Sequence, residues 1–340
     1  MFCSCIFIWL IVAAVALKIY LKLRNRQNGS YACLVGKTAI VTGSNTDFYT
    51  KTVIFTIAFK IIGIGYITAL DFASRGARVI LACRNENKAK DAQWKIIKET
   101  KNPNVIYKLL DMTSFESVRN FAKDINATEE RIDILVNNAG AGGLGNHKTG
   151  DGNQITMQVN HISGFLLTHL LLDKIKKSAP SRIVNVASIA ARWSKLKVEK
   201  MNNFPTDINA SLADGQMYAN SKLANILFTT ELAAKLSGTD VTVNVLHPGA
   251  IKTEIFRRVP GILKIIVDAL ANLYFKTPEE GAQTTIYVAT SKELQGVTGK
   301  LFDNCKQIEL YGVAKNPDLA TKVWTKCEEL AKLKSAEKIK

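Results

Sequence analysis

Tyr218 and Lys222 stand at the ends of the run Tyr218-Ala219-Asn220-Ser221-Lys222. On a helix this Tyr-x-x-x-Lys spacing puts both side chains on one face, one turn apart. An ammonium beside a phenol favours the phenolate, so the tyrosine is expected below its ordinary pKa of ~10. A tyrosine so placed can exchange a proton with an alcohol or a carbonyl near neutral pH. The spacing alone decides little, because Tyr311 and Lys315 repeat it. No serine-ended strand or Asn-Asn-Ala-Gly turn is arranged before that second pair, which reads as structural. Upstream of Tyr218, Ser188 ends the strand-like run Ile183-Val184-Asn185-Val186-Ala187-Ser188. Asn160 lies in a helix-like run, where asparagine is mildly unfavourable and asks for a reason.

A second set of residues could hold a nucleotide. Gly36-Lys37-Thr38-Ala39-Ile40-Val41-Thr42-Gly43-Ser44-Asn45-Thr46 reads as a strand entering a turn. Gly63-Ile64-Gly65, with a helix-like stretch from Tyr66 to Ala73, reads as its continuation. Joined, the halves make Thr-Gly-x-x-x-Gly-x-Gly between a strand and a helix. Gly43 permits the tight turn, and Gly63 and Gly65 let a pyrophosphate approach backbone N–H groups at a helix start. Arg84 follows the second strand candidate, where a ribose contact is expected. An arginine suits a 2′-phosphate and a carboxylate suits a free 2′-hydroxyl, so NADP is expected rather than NAD. Asn137-Asn138-Ala139-Gly140 follows the fourth strand candidate, and its small residues allow close cofactor approach.

These residues need a scaffold, and the rest of the chain supplies one. Strand candidates at Lys37–Thr42, Ala77–Cys83, Val105–Leu110, Ile132–Val136, Ile183–Val186, Val241–Val245 and Lys300–Asp303 alternate with helix-like runs. The helices are expected at Asn87–Lys98, Phe115–Ile125, Gln154–Lys177, Met217–Leu236 and Pro317–Leu333. Such alternation predicts an α/β fold, a single doubly wound parallel-sheet (Rossmann) domain over residues 33–340. With 47% hydrophobic residues and a mean hydropathy of +0.04 the chain is globular, not disordered. The net charge of +16 comes without zinc spacing or any RNA-binding pattern, so an anionic membrane face fits better than nucleic acid. The cysteine spacing gives no disulfide framework.

Phe2 to Leu17 carries no charge, and Lys18, Lys22, Arg24 and Arg26 follow it. About twenty such residues cross a ~30 Å hydrocarbon layer. Residues 1–25 are therefore expected to be a transmembrane helix with its basic flank. The positive-inside rule then leaves the remaining chain in the cytosol.

From about Gly36 to Lys332 the chain resembles a short-chain dehydrogenase/reductase. The matching pieces are TGSNT…GIG, LACRN, LDM, NNAG, VNH, VNVAS, YANSK and HPGAIKT, in family order. Their wording is most similar to the membrane-anchored retinol dehydrogenase-like branch. The resemblance implies that Tyr218 is the general acid/base, with Lys222 lowering its pKa and holding the nicotinamide ribose. It implies that Ser188 binds the substrate oxygen and that Asn160 supports a proton-relay water. Gly43, Ser44, Asn45, Gly63, Ile64 and Gly65 would form the phosphate turn, and Asp111 would meet the adenine. Asn138, Ala139 and Gly140 would line the cofactor, as would Pro248, Gly249 and Thr253, the last at the nicotinamide amide. The apolar stretch from Ile255 to Phe275 would cover a lipophilic substrate. Implied overall is an NADP-dependent enzyme interconverting a retinol-like alcohol and its aldehyde or ketone, without a metal. Its expected place is the endoplasmic reticulum membrane, with the catalytic domain facing the cytosol.

One feature departs from that pattern. Asp47 to Ile62 sits inside the phosphate turn. It could be an excursion that leaves the cradle intact, since closing such a loop costs only ~2.5 kcal/mol on (3/2)RT ln n scaling. It could disrupt the cradle, because Lys51-Thr52-Val53-Ile54-Phe55-Thr56 offers a rival to the strand Lys37–Thr42, though without the following glycine. It could also be an unspliced intron that the working protein lacks. A disrupted turn would leave a catalytically silent membrane-associated protein.

Overall fold

The computed structural model describes residues 20, 25–45, 47–49, 60–249 and 276–339, with backbone alone at 47–49 and 60–62. β1 (Thr38–Thr42) enters the glycine turn. β2 (Asp47–Tyr49) and β3 (Lys60–Ile62) form a separate antiparallel pair with Asp47 opposite Ile62. Then come α1 (Ile64–Ser74), β4 (Arg78–Cys83), α2 (Glu86–Thr100), β5 (Val105–Leu109) and α3 (Phe115–Thr128). β6 (Ile134–Asn137), α4 (Ser163–Lys177), β7 (Ser181–Val186), α5 (Ala210–Lys235) and β8 (Val241–His247) follow. α6 (Pro278–Thr290), β9 (Leu301–Asp303), β10 (Lys306–Ile308) and α7 (Pro317–Leu330) complete the described chain.

The main sheet runs β5-β4-β1-β6-β7-β8-β9-β10, parallel throughout except at the β9–β10 hairpin. Strand alternation builds two cores from the same residues. Ala39 and Val41 of β1, with Val79 and Leu81 of β4, pack under α1, α2 and α6. Ile40 and Ile80 point the other way, into the layer made by α3, α4, α5 and α7. The expected single doubly wound α/β domain is therefore observed. From β1 the chain builds the sheet outward in both directions, so the β1–β6 boundary is its topological switch point. Ligands of such sheets bind at that crevice.

The structure departs from the sequence reading in several places. α5 begins at Ala210, earlier than Met217, because Asn209 accepts the Ser211 N–H and caps two further turns. α6 was not expected, although Thr277 and Glu280 make a reciprocal capping box ahead of it, with Pro278 in its first turn. The helix expected over Gln154–Lys177 is broken by a π-turn at Gln158–Ile162. The membrane segment of residues 1–25 lies outside the described residues, apart from Tyr20 and Asn25. Among the described residues no helix is long and apolar enough to cross a membrane. The rival strand Lys51–Thr56 also lies outside them, and the sheet position it would contest is filled by β1.

Candidate active site

The two halves of the glycine turn meet. The ends of the insert are drawn together by the β2–β3 pair, and Gly65 lies against Gly43. A Cβ on Gly65 would stand 2.7 Å from the Gly43 carbonyl oxygen and 2.5 Å from Asn138 Nδ2. Gly43 itself has φ +67°, which glycine adopts without strain. α1 begins at a Gly63 N-cap that offers no side-chain cap, and its first turn holds no acidic residue. Its leading N–H groups and positive dipole end are left for an anion. Across the switch point, Thr42 fastens the Asn-Asn-Ala-Gly turn. Its Oγ1 accepts from Asn138 N at 3.0 Å and from Ala139 N at 2.9 Å, and its carbonyl accepts from Asn138 Nδ2 at 2.8 Å.

The catalytic candidates converge on that turn. A Cβ on Gly140 would lie 2.9 Å from Lys222 Nζ and 3.2 Å from Asn160 Oδ1. Asn160 sits in the π-turn, a distortion that often marks a functional site. Its side chain bonds Ala141 in both directions, at 2.8 and 2.9 Å, and donates to Ser221 Oγ at 3.0 Å. Lys222 Nζ donates to the Val186 carbonyl at 3.0 Å, at the end of β7 and two residues before Ser188. It stands 5.7 Å from the centre of the Tyr218 ring.

The protonation states differ from the simplest reading of Tyr-x-x-x-Lys. Burial pushes the Tyr218 phenol above its ordinary pKa, and the hydrogen bond with Ser188 only partly offsets this. The expected lowering by Lys222 does not prevail. Enclosure weakens the ammonium instead, bringing Lys222 down to about 8. Because the folded-state value lies below the unfolded one, the charged lysine destabilises the fold. That penalty is full below about pH 8 and fades as pH rises toward 10.5. Lys222→Met is therefore expected to raise stability at pH 7 by up to about 3 kcal/mol. The gain should shrink in denaturant melts between pH 8 and 10.5, whereas a pH-independent gain would contradict the burial account.

Residues 51–198 match the profile described as short chain dehydrogenase, and residues 206–303 match that of Enoyl-(Acyl carrier protein) reductase. The chain is 39% identical to retinol dehydrogenase 14 of Homo sapiens over 88% of each chain. It is 40% identical to human retinol dehydrogenase 13, covering 90% of this chain and 88% of that one. This chain belongs to the short-chain dehydrogenase/reductase family. An L-sorbose reductase from Gluconobacter frateurii, solved with NADPH and L-sorbose, has the same fold at 22% identity. Its TM-score is 0.61, over 79% of this chain and 95% of that one. The match to the first profile begins at residue 51, inside the insert, on the rival strand. In the sheet of this dehydrogenase/reductase, Thr38–Thr42 takes the corresponding place.

The remaining candidates are placed less uniformly. Arg84 is exposed directly after β4, as a ribose contact requires, and carries no ion pair among the described residues. Ser44 turns its hydroxyl inward to the Val41 carbonyl at 2.9 Å, so only its backbone faces the turn. Asn45 reaches across to the Asn85 carbonyl at 3.3 Å. Asp111 spends Oδ1 on the N–H and hydroxyl of Thr113, holding the loop between β5 and α3. Pro248 and Gly249 follow β8, where a Cβ on Gly249 would touch the Lys276 side chain at 3.0 Å. Thr253 and the stretch Ile255–Phe275 lie outside the described residues. The second Tyr-x-x-x-Lys pair is not joined, since Lys315 bonds Glu309 at 2.6 Å. Sequence reasoning missed Asn225, whose amide reaches Val186 and Asn160. The signal was available: like Asn160, it is an asparagine inside a helix.

Proposed function

We propose that this protein is an NADP-dependent oxidoreductase that interconverts a lipophilic, retinol-like alcohol and its aldehyde or ketone at a membrane. The observation that carries the reading is a convergence. Lys222 and Asn160 close on Gly140, and Lys222 stands beside Tyr218 and bonds the end of β7, next to an assembled glycine turn with an uncapped helix start. The turn fits a dinucleotide, because the space a Cβ would fill at Gly65 is kept clear and α1 offers open N–H groups. Bound there, the nicotinamide would supply or accept the hydride. Gly43, Ser44, Asn45, Gly63, Ile64 and Gly65 would hold the pyrophosphate, and Asp111 the adenine side. Asn138, Ala139, Gly140, Pro248, Gly249 and Thr253 would line the nicotinamide half.

The chain's own residues then handle the proton and the substrate oxygen. Ser188 positions that oxygen and Tyr218 exchanges the proton with it. A phenol whose pKa is raised stays protonated near pH 7, which suits donation to a carbonyl and hence reduction. Lys222 would hold the ribose and place positive charge near the phenol. The substrate class is supported by the retinol dehydrogenase relatives and by the apolar sequence of Ile255–Phe275. The uncharged run Phe2–Leu17 and its basic flank support a membrane anchor, with the domain on the cytosolic side.

Arg84 carries the choice of NADP. Arg84→Asp should weaken NADPH by about 10- to 100-fold, the worth of a charge-assisted phosphate contact. NADH should weaken much less. Equal losses for the two cofactors, measured as KM ratios, would remove Arg84 from the ribose site.

A further inference from the structure

A line of hydrogen bonds leaves the site behind Lys222 and ends on the last helix. The Val186 carbonyl accepts from Lys222 Nζ at 3.0 Å and from Asn225 Nδ2 at 3.2 Å. The same amide nitrogen donates to the Asn160 backbone carbonyl at 3.1 Å. Two carbonyl partners settle which end of the Asn225 amide is nitrogen, since only that end donates. Asn225 Oδ1 is then an acceptor, 2.8 Å from His161 Nδ1. The proton of the imidazole must therefore sit on Nδ1. That leaves Nε2 to accept the thiol hydrogen of Cys327, 3.1 Å away on α7.

Every bond in the line now runs in one direction, from Cys327 through His161 and Asn225 to two carbonyls. Burial keeps both outer groups in the form this requires. It lowers His161 to about 4, so the ring is neutral, and it raises the Cys327 thiol. The two carbonyls are not arbitrary. Val186 holds the Lys222 ammonium, and the Asn160 carbonyl belongs to the π-turn that aims the Asn160 side chain at Ala141 and Ser221. In that turn the helical bonds are respaced, with Ser163 N donating to Gln158 O. Asn225 supplies the Asn160 carbonyl with a donor from a different helix.

We propose that Asn225, oriented by His161, is a positioning residue for the catalytic set, holding Lys222 through Val186 and Asn160 through its backbone. Its kinetic consequence rests on the oxidoreductase reading above, whereas the tautomer at its base does not. The test uses the full chain with ¹⁵N-labelled histidine. His161 is assigned among the four histidines by its loss in His161→Asn. An Nδ1–H tautomer is expected, and an Nε2–H tautomer overturns the proposal whether or not the protein turns over. In NADPH-dependent reduction of retinal, His161→Leu and Asn225→Leu should each lose about 10²-fold in kcat, the effect of a small misplacement of reacting groups. His161→Asn keeps an N–H that can reach Asn225 and should retain most of the rate. Equal losses in the asparagine and leucine variants at His161 would reduce the line to core packing and overturn the proposal. A wild-type protein that binds NADPH without turnover would count against the functional reading, and the tautomer would then decide the positioning pair alone.

Discussion

Tyr218→Phe is expected to lower kcat by about 10²–10⁴-fold, the usual contribution of a positioned acid or base. NADPH binding should be nearly unchanged. The substitution removes one hydroxyl and leaves the ring beside Lys222, so the cation 5.7 Å from its centre keeps its neighbour. Lys222 keeps its bond to the Val186 carbonyl, and Ser188 keeps the Ala190 N–H that it accepts. Losing the Ser188–Tyr218 hydrogen bond removes about 0.5–1.5 kcal/mol of stability. A loss of rate with the melting temperature held to within a few degrees therefore separates chemistry from folding. The measurement is single-turnover oxidation of NADPH in the presence of an aldehyde. A variant that keeps the wild-type rate would mean that the proton comes from elsewhere.

Gly65→Val should damage cofactor binding, through space alone. The φ of Gly65 is not in the left-handed region, but its Cβ would stand 2.5 Å from Asn138 Nδ2 and 2.7 Å from the Gly43 carbonyl oxygen. Neither neighbour can yield freely. Asn138 is held by three bonds to Thr42 and Gly43, and Gly43 N donates to the Ala82 carbonyl at 2.9 Å. The overpacking is worth about 1–3 kcal/mol, which spent on cofactor affinity is roughly 5–150-fold. Gly215 is the control. It lies in α5 with nothing within 4 Å of its Cβ position, so Gly215→Ala should leave NADPH binding untouched and stabilise the helix slightly. Isothermal titration of both variants with NADPH checks the contrast, and equal behaviour would mean that Gly65 is not part of the cradle.

The main strands were legible because a buried parallel strand is a short apolar run between turn residues, as at Thr38–Thr42 and Arg78–Cys83. Tyr218, Lys222, Ser188 and Asn160 were legible as types at telling places. What the sequence could not convey was the balance of forces on them. Spacing brings Lys222 near Tyr218, but the depth of both groups decides that burial, not the mutual field, sets the phenol's acidity. α6 was missed although Thr277, Pro278 and Glu280 announce it, because its interior threonines and small residues blur the apolar period. The π-turn has no signature in periodicity, since it shifts the register by one residue inside an otherwise ordinary helix. The insert was the hardest case. Its composition suits a strand, and only the contact between Gly65 and Gly43 places the two halves of the turn together.

Cofactor binding by this protein requires the turn to work with Asp47–Ile62 in place. The direct measurement is titration of the full chain with NADPH, followed by energy transfer from protein to nicotinamide fluorescence, beside a variant in which Thr46 is joined to Gly63. Both proteins are predicted to bind, with dissociation constants in the range of about 1 μM to 1 mM usual for enzyme ligands. The shortened one should melt higher, by at most the ~2.5 kcal/mol of loop closure. A shortened chain that binds beside a full chain that does not would show that the insert breaks the cradle. Binding by neither would contradict the oxidoreductase reading itself.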